Sequence, residues 1–498
     1  MALVLPLAVI LGYFLVDPLE PNSLAVVGLV LAALGLPLMM KWYHPMLIIL
    51  WNAAICPAFV PGSPYLWMLV ALVGLVISIL NRSVNSNFRF ISVPSVNLSL
   101  IFLLLVAGVT AYLTGGIGFQ IFGSSSYGGR RYFYTLLAVI GYFVLTSQRT
   151  PLRYAGWLTS LFFLSSLTSM VPDVLGMAGN STSFLYQLFP PDSTAVAAVA
   201  GQMETSSMFR IFGFTLSSMG IFFALLACYG IRGVLDLSKP WRAALFILAL
   251  AACGYSGFRS FLALMLITFA VQFFIEGLHR TRLLPILVGL FLVGGGLMLT
   301  QSEKLPLVVQ RTISFLPVKV SAVAKASADT STEWRLQMWR AVLPEVPKHL
   351  LLGKGYSIDA TAMYFSGDYN NHIDEGYGWA LVSGDYHSGP LSLVMPFGIW
   401  GIIAFSWFCY AALKYLYRNF QSGPPELHLI NTFLLTCFVA RLIFFLFVFG
   451  GFYSDLYHFT GLLGLSVSLN GAEPEPRTVL EPEILEEPSG TALRDDYA

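Results

Sequence analysis

Apolar runs long enough to cross a bilayer follow one another through most of this chain. A spanning helix needs roughly 20 predominantly apolar residues, and about 17 suffice. By that rule spans are expected at 2–16, 23–40, 46–60, 64–81, 95–114, 131–148, 152–171, 209–231, 242–256, 258–278, 283–300, 391–417, 427–450 and 455–470. The first, third, ninth and last are short, so re-entrant or paired segments would bring these fourteen to about 12. Charged residues make up only 11% of the chain, against about 25% in soluble domains. The expected fold is therefore an all-α polytopic membrane protein with about 12–14 transmembrane helices. The opening "MALVLPLAVILGYFLVDPLEPNS" lacks a basic n-region and a small-residue cleavage site, and reads as a retained first helix.

Lys and Arg in the short loops set the orientation. With the N-terminus inside, the inner loops hold Lys41, Arg82, Arg89, Arg149, Arg153, Arg232, Lys239, Arg242, Arg280, Arg282, Lys414 and Arg418. The outer mouths hold only Arg130, Arg131, Arg210 and Arg259. This bias puts the one long polar interval, 301–390, on the extracytoplasmic side. The domain organisation expected is 1–204, N-terminal membrane helices; 205–300, core membrane helices; 301–390, a large extracytoplasmic loop; 391–470, C-terminal membrane helices; and 471–498, an acidic, Pro-rich cytoplasmic tail too poor in large apolar residues to bury a core. Cys56, Cys228, Cys253, Cys409 and Cys437 all fall in apolar runs, which argues against a disulfide framework or a thiolate metal site. No GxxxxGK[ST] phosphate loop is present. No cofactor and no nucleic-acid partner is expected.

Arginines at the outer side are the first candidates for chemistry. Arg210 and Arg259 lie at the outer ends of spans. Arg441 lies inside one, about 22 Å above the inner end at 1.5 Å per residue. A cation at that depth is costly and normally faces a cavity or a partner. Arg presents a planar fork to phosphate oxygens, so the three suit an anionic ligand such as a diphosphate. The plainer reading has Arg210 and Arg259 snorkelling to headgroups and Arg441 paired with Asp455. Arg130 and Arg131 are read as headgroup binders.

Within 301–390, "DTSTEWRLQMWRAVLPEV" offers N-caps at Ser331 or Thr332 and then Trp334, Met338 and Val342 at helical spacing. This predicts an amphipathic helix on the membrane surface, with Arg335 and Arg340 near the mouth of the bundle. His387 lies three residues before Pro390, at the outer surface, where a neutral imidazole could take a proton from a hydroxyl nucleophile. Asp385 and Asp374 are candidates to orient it, and His372 is its rival. A metal held by His372, Asp374 and His387 would match no compact ligand motif, so metal binding is not expected.

The run "EWRLQMWRAVLPEVPKHLLLGKGY", followed after an insert by "YHSGPLSLVMPFGIWG", resembles the O-antigen ligase and O-antigen polymerase superfamily of bacterial envelope glycan enzymes. The positions that carry the resemblance are Arg335, Trp339, Gly353, Gly355, His387, Leu391, Gly398 and Gly401, with Arg259 in "GYSGFRSFLALM". It covers roughly residues 205 to 418. Ser388 stands where the family usually has Asn, and "PKHLLLGKG" alters the family's order before its Gly pair.

The resemblance implies a GT-C-like membrane glycosyltransferase in the bacterial inner membrane, with its site facing the periplasm and no metal or nucleotide sugar. The donor would be a glycan on a polyprenyl (undecaprenyl) diphosphate. The acceptor would be a sugar hydroxyl on lipid A core or on a growing glycan. His387 would then be the catalytic base, with Arg210, Arg259, Arg335 and Arg441 binding the donor diphosphate and Arg340, Asp385 and His372 in support. Ligase and polymerase share that donor and remain alternatives. A flippase or transporter would instead gather polar groups near the midplane and commonly show repeat symmetry, neither of which is present here.

Overall fold

The computed structural model describes residues 21–85, 89–115, 117, 126–178, 180–190, 211–314, 317–359 and 378–472, with Pro6, Val9, Gly12 and Tyr13 before them. Arg210, His372 and Asp374 lie outside the described residues. So do most of the first expected span and the tail beyond residue 472.

The chain folds as a bundle of membrane helices: α1 (Pro21–Leu50), α2 (Leu66–Val84), α3 (Pro94–Leu113), α4 (Gly129–Leu145), α5 (Leu152–Leu164), α6 (Val171–Ala178), α7 (Phe212–Val234), α8 (Pro240–Tyr255), α9 (Arg259–Ile275) and α10 (Leu283–Thr300). After α10 come a short helix α11 (Leu307–Ile313) and the long surface helix α12 (Ala322–Val342), and then α13 (Gly389–Ser422), α14 (His428–Phe447) and α15 (Phe452–Asn470). Among the described residues, seven helical segments are long and apolar enough to cross a bilayer. They are 66–84, 94–113, 152–176, 212–234, 283–300, 389–422 and 425–447. The shorter helices α8 and α9, together with α1, α4 and α15, pack among them. A helix satisfies its own backbone, which a bilayer core demands of any lipid-facing segment. Pro94, Pro240 and Pro390 sit in first turns, where their missing N–H costs nothing.

Two expected spans come out differently. The segments 23–40 and 46–60 are joined in one helical run, and the second is helical only to Leu50. Residues 51–65 continue as turns and extended chain. Their backbone groups find partners: the Ala54 N–H donates to Thr168 Oγ1 at 2.8 Å, and the Cys56 and Ala58 N–H groups donate to the Leu188 and Gln187 carbonyls at 2.8 and 2.7 Å. Irregular chain is tolerated at membrane depth when protein surrounds it in this way. Trp51 anchors the segment between α4 and α15. Its indole N–H donates to the Tyr457 carbonyl at 3.1 Å, and its ring lies 4.8 Å from that of Trp67.

The surface helix begins earlier than expected. α12 starts at Ala322, where Ser321 caps it by accepting the Ala324 N–H, about ten residues before the predicted Ser331 or Thr332. Met338 and Val342 are buried as the spacing predicted, packed with Tyr386, Val394 and Met395.

α13 is broken. Pro396 removes a donor, and Gly398 has φ 62° and ψ −153°, a conformation essentially reserved for glycine. The segment 350–355 fills the break with its own backbone. Lys354 and Gly355 donate to the Met395 and Pro396 carbonyls at 2.8 and 3.0 Å, and Ile399 donates to the Leu350 carbonyl at 2.7 Å. Gly353 lies so close to the Pro396 carbonyl that a Cβ would collide with it. The "GKG" run and the Gly of the following helix are thus two halves of one interlock, which fastens the segment after α12 to the helix bundle.

Candidate active site

His387 is the residue immediately before the cap of α13, whose N-cap is Ser388. It adopts φ 49°, in the left-handed region where a residue with a side chain is strained. Its neighbours hold it there. Tyr386 is buried, and its carbonyl accepts the Trp339 indole N–H at 2.8 Å. On the other side Gly389 packs against the Phe445 carbonyl, and Ser392 Oγ accepts the Phe452 N–H at 2.9 Å, which ties α13 to α15. The imidazole ring lies between Trp334 of α12 at 5.1 Å and Phe449 at 5.0 Å.

His387 Nδ1 is 3.8 Å from Asp385 Oδ1 and has no hydrogen-bond partner. That separation is longer than a hydrogen bond. Burial pushes the imidazole below its usual 6.5; the Asp385 carboxylate opposes this and the Arg335 guanidinium adds to it. The ring is therefore neutral near pH 7, the form that accepts a proton.

The imidazole opens onto a cavity of about 1290 Å³. One wall is apolar: Phe212, Phe258, Phe261, Leu264 and Phe444, from α7, α9 and α14 or beside them. Another wall is polar: Tyr65, Arg130, Arg131, Tyr134, Tyr453, Asp455, Tyr457 and His458. α12 covers part of the cavity with Ser327, Thr330, Ser331, Trp334 and Arg335. Arg441 reaches it from within α14, with its Nε lacking a hydrogen-bond partner.

Of the residues singled out from the sequence, His387, Asp385, Arg335 and Arg441 converge on this cavity. Arg340 does not: it is exposed and does not line it. Arg259 opens α9 between the lining residues Phe258 and Ser260 without lining the cavity itself, and Asp329 of α12 lies within its electrostatic reach. Arg441 and Asp455 do not form an ion pair within 4 Å. Asp455 Oδ2 instead accepts the Gly451 N–H at 2.8 Å at the start of α15.

Arg130 and Arg131, read from the sequence as headgroup binders, line the cavity. Asp455 and His458 were missed as lining groups. The available signal was an acid and a histidine three apart inside an otherwise apolar segment, which normally face an interior.

A cavity lined by apolar and aromatic side chains, by Arg130, Arg131, Arg335 and Arg441, and by a neutral imidazole fits group transfer from an amphiphilic, anionic substrate. The family comparison agrees with that class. A family model described as O-Antigen ligase matches residues 214–406, which include Arg335, Asp385 and His387. The match makes residues 214–406 of this multi-pass membrane protein similar to O-antigen ligases, and supports a membrane glycosyltransferase of the O-antigen ligase or polymerase type. No curated protein matches the chain.

Proposed function

We propose that the protein transfers a glycan from a polyprenyl diphosphate to a sugar hydroxyl on the extracytoplasmic face, as in ligation of O-antigen to lipid A core. The observation that carries this reading is His387, neutral, fixed in a strained conformation and open to a cavity that also holds Arg335 and Arg441. The acceptor hydroxyl oxygen attacks the anomeric carbon of the donor sugar. The bond from that carbon to the diphosphate oxygen breaks, and its electron pair leaves on the diphosphate. The hydroxyl proton passes to His387. Arg335 and Arg441 neutralise the departing diphosphate, as fixed cations aimed at developing charge do. The apolar wall suits the isoprenoid portion of the donor. The charge bias of the short loops supports the extracytoplasmic face.

The test is His387→Ala in cells lacking the native protein, with surface glycan visualised and the membrane level of the variant measured. Loss of glycan at normal protein level is expected, and normal glycan would overturn the role of His387. Ligation and polymerisation share the donor and differ in what a deletion strain accumulates. Full-length chains left on the lipid carrier indicate a ligase; a single capped repeat indicates a polymerase.

A further inference from the structure

The cavity holds a second cationic group that the transfer step does not use. Arg130 and Arg131 begin α4, and among the described residues neither has a carboxylate within 4 Å. Their environment is aromatic. Arg130 Nη2 donates to the Tyr134 hydroxyl at 3.0 Å, and the Arg131 guanidinium lies 4.7 Å from the Tyr453 ring and 5.6 Å from that of Tyr356. Tyr65, Tyr134 and Tyr453 form a continuous shelf, with ring centroids 6.1 and 6.3 Å apart and edges to faces.

This group is built into the fold. Strands β1 (Ser126–Tyr127) and β2 (Ile358–Asp359) pair antiparallel just before α4. Gly128, at φ 114°, passes so close to the Tyr356 carbonyl that no side chain fits there. The Tyr356 N–H donates to the Tyr132 hydroxyl at 3.0 Å. The two arginines are therefore held against the segment that carries the interlock.

The two cationic groups are distinct. The Arg335 guanidinium lies 5.8 Å from the Phe449 ring, which is itself 5.0 Å from the imidazole of His387, whereas the Arg131 guanidinium lies 4.7 Å from the Tyr453 ring. Asp385, whose Oδ1 lies 3.8 Å from His387 Nδ1, also lines the cavity. The cavity, at about 1290 Å³, has both cationic groups in its lining.

We infer that Arg130 and Arg131, with the shelf of Tyr65, Tyr134 and Tyr453, form the acceptor subsite and take a sugar bearing an anionic substituent, a carboxylate or a phosphate. The tyrosine faces pack against the C–H face of a sugar ring, and their hydroxyls bond its polar edge. The guanidinium groups supply forked donors for the anionic substituent. The inference rests on the glycosyl-transfer reading, because it assigns the second of the two substrates that reading requires.

The test uses purified full-length protein in nanodiscs of neutral phosphatidylcholine, with binding followed by tryptophan fluorescence, since Trp67 and Trp334 line the cavity. The probes are glucuronic acid, glucose 6-phosphate, glucose and inorganic pyrophosphate. The two charged sugars are expected to bind at least tenfold more tightly than glucose. The double variant Arg130→Gln, Arg131→Gln should abolish that preference and leave pyrophosphate affinity within twofold, which also shows that the variant is folded. Arg335→Gln with Arg441→Gln should do the reverse. Three outcomes overturn the inference: no preference for charged sugars in the wild type, equal loss of pyrophosphate binding in the Arg130 and Arg131 variant, or full displacement of the sugars when phosphatidylglycerol is added, which would mark a lipid-headgroup site. Failure of the glycosyl-transfer reading would show separately, as absent pyrophosphate binding and unchanged surface glycan with His387→Ala.

Discussion

Substituting Gly398→Ala should release residues 350–355 from the helix bundle. At φ 62° and ψ −153° a residue with a Cβ is strained by about 1–3 kcal/mol. The added Cβ would also lie 2.6 Å from the Leu350 carbonyl oxygen and 3.0 Å from the Gly353 nitrogen. Relief requires residues 350–353 to move away, and that breaks the bonds from Lys354, Gly355 and Ile399. Each such bond contributes about 0.5–1.5 kcal/mol. A local loss of about 3 kcal/mol is therefore expected, and at 1.4 kcal/mol per factor of ten this makes opening roughly 100-fold more frequent. Hydrogen–deuterium exchange of the 350–356 peptide, read by mass spectrometry in detergent, measures that opening directly. The control is Gly294→Ala on α10, where an added Cβ meets nothing within 4 Å, and exchange there should not rise. Unchanged exchange of 350–356 in Gly398→Ala would refute the interlock as the fastening between loop and bundle.

Other substitutions test the site itself. A base works only when unprotonated, so with His387 held below its usual value the midpoint of the acid limb of transfer should fall below pH 6.5. Asp385→Asn removes the charge that raises the imidazole, so the acid limb of the pH–rate profile should move further down; Arg335→Gln removes the charge that lowers it, so the limb should move up. Trp339→Phe deletes the indole donor to the Tyr386 carbonyl, and kcat should fall with little change in donor KM, since a misaimed base slows the step without weakening substrate binding. Arg340→Ala, at an exposed position away from the cavity, should leave transfer within twofold of wild type in the same assay.

The class of this protein was legible because a bilayer imposes a length and a composition on every segment that crosses it. The position of His387 was legible for a related reason: it sits where a long polar interval meets the next apolar run. What periodicity alone could not give is the direction a side chain faces across a helix. Arg335 and Arg340 share α12, yet five residues of helix turn them about 140° apart, and only the docking of Met338 and Val342 decides which one meets the cavity. Arg130 and Arg131 stand at the end of a span, where headgroup contact is the default expectation; the strand pair that turns them inward joins residues more than 200 positions apart. The break in α13 was visible as Pro396 and Gly398, but its filling by 350–355 depends on backbone atoms that carry no sequence signature.

That filling also constrains how the protein is made. The Leu350 carbonyl has its partner only at Ile399, and the Met395 and Pro396 carbonyls take donors from residues already synthesised. Residues 350–355 must therefore wait, incomplete, until α13 has left the ribosome and entered the bilayer. A topology reporter fused between 356 and 389 would sample this waiting state. Truncation at the same place would leave residues 350–355 with no helix to close upon.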